Sequence, residues 1–150
     1  MPKMFFKKGF TLIELLVVIG ILSILLVITL VAINPVRQFQ LSNNTKRRSD
    51  VNAILNAVHQ YAADNKGQLP TAITTTPQNV SNVAADICAS IVPTYIAALP
   101  ADPLTNNGAS VTSCVGAYTL GYEISKSATN NRVTVSAPQA ELSEVISVIR

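Results

Sequence analysis

The hydrophobic positions change their spacing along the chain. From Leu15 to Ile33 they are nearly continuous, and nineteen residues pass without a charge. At about 1.5 Å of rise per residue, a helix of that length approaches the ~30 Å hydrocarbon thickness of a bilayer. From Val51 onward the apolar residues recur at helical intervals: Val51, Ile54, Leu55, Val58 and Ala62, with Asn52, Asn56, Gln60 and Asp64 on the other face. That is the period of an amphipathic helix. Gly67 and then Pro70 supply its stop. Together these patterns predict one long helix from about Phe10 to Lys66. The first proline within that helix is Pro35, which predicts a kink or melted stretch at about Val31–Pro35, with Gly20 as a second weak point.

The second half of the chain reads in shorter pieces. Residues 68–78 are rich in turn formers and read as a loop. Val80, Val83, Ala84, Ile87 and Ile91 return to helical spacing and predict a short helix carrying Cys88, broken at Pro93. Tyr95–Leu99 is a further apolar turn ended by Pro100, and Asp102-Pro103 and Asn106-Asn107-Gly108 are turn signals. Period-two alternation then appears in Gly116–Ile124, where Tyr118, Leu120, Tyr122 and Ile124 share a face, and again in Arg132–Ala137. Ser127–Asn131 is the hairpin connection, and Val145–Ile149 is a third strand. The expected fold is α+β: a long N-terminal helix, its first half membrane-spanning, packed on a small antiparallel sheet.

Charge refines this picture. The 150 residues carry a formal net charge of +3. Lys3, Lys7 and Lys8 account for all of it, and without them eight cations face eight anions. The basic pI therefore marks the flank of a membrane segment, where positive charge holds the N-terminus on the cytoplasmic side, rather than a nucleic-acid surface. Cys88 and Cys114 both follow the apolar run and so fall in an extracytoplasmic space, where a disulfide forms and persists. The compartment, not the spacing, argues for the pair; two partly buried thiols are the alternative.

The N-terminus does not read as an ordinary secretory signal. Its basic stretch ends at Lys7-Lys8-Gly9, and no small-residue cleavage site follows the apolar run, which closes on Asn34-Pro35-Val36-Arg37. Glu14 lies four residues into the segment. A carboxylate there costs on the order of 2.5–3.5 kcal/mol on insertion scales, and no cation follows it in the run. The string Gly9-Phe10-Thr11-Leu12-Ile13-Glu14-Leu15-Leu16-Val17-Val18, preceded by Lys7-Lys8, resembles the cleavage and methylation signal of type IV pilins and type II secretion pseudopilins. The resemblance covers about 25 residues and implies a pilin-like fold. It implies cleavage between Gly9 and Phe10 by a membrane prepilin peptidase, N-methylation of Phe10, and a role for Glu14 in assembly. Cleavage would give Phe10 a cationic amine, the opposite charge that Glu14 lacks, in its own chain or in the subunit beside it. Leu99-Pro100-Ala101-Asp102-Pro103 ahead of a strand is also similar to major pseudopilins, although Leu104-Thr105 departs from their pattern.

The resulting division is a leader at residues 1–9, a membrane or filament-core helix at 10–34, its amphipathic continuation at 35–66, and an extracytoplasmic region at 67–150. The partners implied are further copies of the chain, prepilin peptidase, an inner-membrane assembly platform and membrane lipid. A pilus and a pseudopilus both fit, and an uncleaved membrane-anchored binding domain is the competing reading. Lys46-Arg47-Arg48 reads as a solvated face. His59, the single histidine, reads as a flank of the helix–sheet interface. Asp102, Asn106, Asn107 and Glu123 read as turn formers rather than calcium ligands. Glu141 and Glu144 fall near an exposed terminus. No catalytic set, metal-ligand spacing or phosphate loop stands out, so neither an enzyme nor a cofactor is expected.

Overall fold

A computed structural model describes residues 9–150. Lys3, Lys7 and Lys8, and the leader as far as residue 8, lie outside the described residues. The chain divides into two compact units, Met1–Gln38 and Phe39–Arg150.

In the first unit, α1 (Leu12–Ile33) is 22 residues long, and none of its residues is buried. It is long and apolar enough to cross a membrane. Its two hydroxyl groups are satisfied within the helix: Ser23 Oγ donates to the Ile19 carbonyl at 2.7 Å and Thr29 Oγ1 to that of Leu26 at 2.8 Å. No unmet polar side chain therefore interrupts its central and C-terminal surface. The helical pattern breaks at Asn34, in left-handed conformation at φ 47°. Proline at 35 disfavours the α conformation in the residue before it, and asparagine tolerates the left-handed one. The break falls inside the window that Pro35 predicted. Pro35 then opens α2 (Pro35–Asp64), at a position where the missing N–H costs nothing. Asn34 Oδ1 accepts from the Arg37 N–H at 3.3 Å.

In the second unit, α2 turns Val51, Ile54, Leu55 and Val58 inward, each fully buried. They join a core with Val80, Leu120, Tyr122, Ile124, Val133 and Val135 from the sheet. Burying an aliphatic side chain of this size is worth about 1.5–3 kcal/mol, so this face fixes the helix on the sheet. The sheet is antiparallel, in the order β1 (Gln78–Ser81), β2 (Thr119–Lys126), β3 (Val133–Ser136) and β4 (Ser147–Ile149). The β2–β3 hairpin and the C-terminal strand lie where the alternation placed them.

Two expectations fail here. Val80 belongs to strand β1, not to a helix, and the helix carrying Cys88 is only α3 (Cys88–Ile91). Val80, Ile87 and Ile91 meet the core from a strand, a turn and one helical turn, a spacing that imitates a helical period, while Val83 and Ala84 are exposed. The sheet accordingly has four strands rather than three. The alternation in β2 is also interrupted. Gly121, at φ +76°, is buried between Leu120 and Tyr122, where the β1–β2 register shifts. A Cβ there would stand 2.5 Å from Thr105 Oγ1 and 3.0 Å from Asp102 Cβ. Only glycine lets the 102–105 loop lie against this strand.

Candidate functional site: the N-terminal segment and the buried arginine cluster

Gly9 and Phe10 precede α1 in non-helical, exposed backbone, with Phe10 86% exposed. Thr11 is the N-cap of α1 and forms a capping box with Glu14. The Thr11 N–H and hydroxyl each donate to Glu14 Oε2 at 2.7 Å, and the Glu14 N–H donates to Thr11 Oγ1 at 3.3 Å. The carboxylate also sits at the positive end of the helix dipole. The structure thus gives Glu14 a local partner that the sequence reading overlooked. Its signal was in plain view, since a threonine three residues ahead of a glutamate at the head of an apolar run is a capping-box signature. These hydrogen bonds engage Oε2 alone and leave the charge in place, so a membrane-buried Glu14 still lacks a cation.

The second cluster lies at the N-terminal end of the helix–sheet core. Lys46-Arg47-Arg48 is not a uniformly solvated face: the Arg47 side chain is fully buried. Its Nε and Nη2 donate to the two carboxylate oxygens of Asp102 at 2.6 and 3.1 Å, and its Nη1 donates to Glu141 Oε2 at 2.9 Å and Asn44 Oδ1 at 3.0 Å. The Asp102 carboxyl is likewise fully buried. The flanking cations stay closer to water. Lys46 pairs with Asp50 at 2.9 Å and donates to the Ala101 carbonyl at 2.6 Å, while Arg48 pairs with Glu144. Hydrogen bonding to Asp102 holds the Arg47 guanidinium above its already high pKa. Hydrogen bonds from Asn43 and then Arg47 hold the Glu141 carboxyl below the usual glutamate range.

Asp102 is thus an ion-pair partner as well as a turn former, with the Leu104 N–H donating to its Oδ1 at 2.9 Å. Asn106 and Asn107 lie in a short 3-10 turn in left-handed conformation, and Glu123 is in β2 paired opposite Ser136. Glu141 and Glu144, placed by the sequence near a free terminus, are both bonded to α2. The helical stripe could have found Arg47, because carrying the Val51–Ile54–Val58 spacing backward lands on Asn44 and Arg47. The chemical type of arginine argued the other way.

His59 is half-buried, and its Nε2 is the one enclosed side-chain polar atom without a hydrogen-bond partner among the described residues. Cys88 and Cys114 are disulfide-linked, with Cα atoms 5.5 Å apart. Cys88 is fully buried beside the core, and the bond anchors the loop that follows residue 108.

Residues 4–30 match the prokaryotic N-terminal methylation motif. No curated protein and no solved structure matches the chain. The matched segment joins the basic flank, the exposed Gly9–Phe10 peptide, the Glu14 capping box and most of α1, and it is the prepilin-type N-terminal signal found in type IV pilin-like proteins and pseudopilins.

Proposed function

We propose that this chain is a structural subunit of a type IV pilus-like filament, a pilus or a pseudopilus, processed by prepilin peptidase and assembled through its N-terminal helix. The observation that carries the reading is the exposed Gly9–Phe10 peptide set directly before a wholly exposed apolar helix with one carboxylate in its first turn. Such a helix needs a cover. Lipid supplies it while the chain is a membrane protein with its N-terminus inside, and the helices of neighbouring subunits supply it in an extracytoplasmic filament. The assembly platform of the inner membrane would effect the transfer.

Cleavage after Gly9 makes the Phe10 amine, and methylation leaves it cationic. That amine in an adjacent subunit supplies the charge that the Thr11 hydrogen bonds do not, and it fixes the axial register of one subunit on the next. The Phe39–Arg150 unit then lies outside the cytoplasm, where the Cys88–Cys114 bond persists. A static, uncleaved anchor would need neither Glu14 nor a peptidase-accessible Gly9.

Mass spectrometry of the protein from its native membrane tests this. The expected chain begins at N-methyl-Phe10, and a chain beginning at Met1 or Pro2 overturns the reading. With Glu14→Ala, cleavage should proceed while filaments, counted by electron microscopy, are lost. Normal filaments from that variant would remove Glu14 from the mechanism.

A further inference from the structure

The last thirteen residues, Pro138–Arg150, are attached to the second unit differently from the rest of it. Of their side chains only Ile146 is buried. Strand β4 is three residues long and lies at the edge of the sheet. Leu142 and Ser143 both adopt the left-handed conformation, at φ 58° and 56°, which non-glycine residues hold only where their surroundings enforce it. Enforcement comes from either side of them. Glu141 receives hydrogen bonds from Asn43 Nδ2 and Arg47 Nη1, its backbone N–H donates to Asn44 Oδ1 and its carbonyl accepts from Asn44 Nδ2, while Glu144 pairs with Arg48.

Removing one partner of a buried ion pair ordinarily strands the other. Here it does not, because Arg47 holds two carboxylates of unequal standing. Asp102 is bidentate and fully buried, whereas Glu141 keeps 20% of its side chain exposed. If Glu141 leaves, the guanidinium remains neutralised by Asp102, and the departing carboxylate enters water.

We propose that Pro138–Arg150 is a releasable strap, latched to α2 through Glu141, which opens as a unit while α2, the disulfide and strands β1–β3 stay folded. Opening bares the outer edge of β3, and the Val133, Val135 and Ala137 backbone groups then meet water.

The latch is sensitive to acid. Glu141 faces the cation Arg47 and the amides of Asn43 and Asn44 from α2, and the anion Asp102 from the 102–105 loop. Hydrogen bonds from Asn43 and then Arg47 lower its pKa, burial and Asp102 raise it, and lowering is the net result; Asn44 bonds only the Glu141 backbone. A carboxyl depressed in the folded state stabilises the closed strap above its ordinary pKa of 4.5, and that contribution is lost as the pH falls through the lower folded value.

Antiparallel pairing provides a readout at single residues. The Val133 and Ala137 N–H groups donate to the carbonyls of Arg150 and Ile146, and alternation assigns Val135 to β4 as well. The same alternation turns Thr134 and Ser136 toward β2.

Amide hydrogen exchange would be measured by NMR on the full chain in detergent at neutral pH, comparing the native protein with Glu141→Gln. Exchange at Val133, Val135 and Ala137 should accelerate by at least about tenfold, the order expected on losing hydrogen bonds to a charged group, with Thr134 and Ser136 unchanged. Should the variant not fold, the native chain taken below its ordinary glutamate pKa must show the same split. Acceleration at all five amides together would mean global opening, and no acceleration would mean no latch. Either result overturns the proposal.

Discussion

Arg47 stands between two other cations, and only its place on the helix separates it from them. Lys46 and Arg48 are offset from the core stripe and reach the surface, while Arg47 lies four residues before Val51 and points inward. Two carboxylates and an asparagine meet it there. Replacing one partner of a buried pair leaves a bare charge, so Arg47→Met should destabilise the second unit by about 3–5 kcal/mol in urea denaturation. The double change Arg47→Met/Asp102→Leu should recover much of that loss, because neither charge is then stranded. An unchanged midpoint in the single variant would mean that Asp102 reaches water without the arginine. Glu14 differs in that its bonding partner is local: Thr11 donates twice to its Oε2 within one helical turn.

Among the elements, the long loop between α3 and β2 has little regular structure, a 3-10 turn and the Leu99–Val111 bridge. Its other fixed points include the Lys46 and Arg47 contacts at Ala101 and Asp102, the Asp102 N–H bond to the Leu120 carbonyl, the Tyr95 hydroxyl bond to Asp64, and the disulfide at Cys114. The two cysteines are separated by 26 residues, and closing a loop of that order stabilises a fold by about 3 kcal/mol in the chain-entropy model. Cys88→Ser/Cys114→Ser should lower the denaturation midpoint accordingly. The same loss should follow reduction of the native chain, and equal stability of both forms would show that the loop is held by its other contacts. The element that the sequence misassigned lies just ahead. Val80 lies in β1 at the register shift between Asn79 and Ser81, which pair with β2, and a strand of four residues at a sheet edge has too few alternations to announce itself beside Val83, Ala84 and Ile87.

At the scale of the whole molecule, two buried tyrosines couple the second unit to alkaline pH. The Tyr122 hydroxyl donates to Asp50 at 2.7 Å and that of Tyr118 to Asp86 at 2.6 Å. Burial first, and the neighbouring carboxylate second, push both hydroxyls well above the ordinary tyrosine value of 10.0. A group with a raised folded pKa gives stability that is complete below its unfolded pKa and is lost as the pH climbs toward the folded one. The urea midpoint should therefore fall steeply above about pH 10, where tyrosines of the unfolded chain ionise. Tyr122→Phe should flatten that slope, and an unaltered slope would assign the alkaline loss to other groups.

Features that depend on residues close in the chain were legible from order alone. The charge-free run determines an apolar helix, Pro35 determines where it breaks, and the K-K-G-F-T-L-I-E string determines the processing signal. The alternation at Tyr118–Ile124 and Val133–Val135 determines two strands. Each is a local rule of backbone geometry or of solvation, readable within one or two turns. The burial of Arg47, the coverage of Gly121 by Thr105 and Asp102, the first strand and the latching of Glu141 are different. They join residues well beyond any local period, up to 98 positions apart for Asn43 and Glu141, and no local period encodes which distant carboxylate meets which arginine. That was decided only when the core closed and left a buried guanidinium that had to be neutralised.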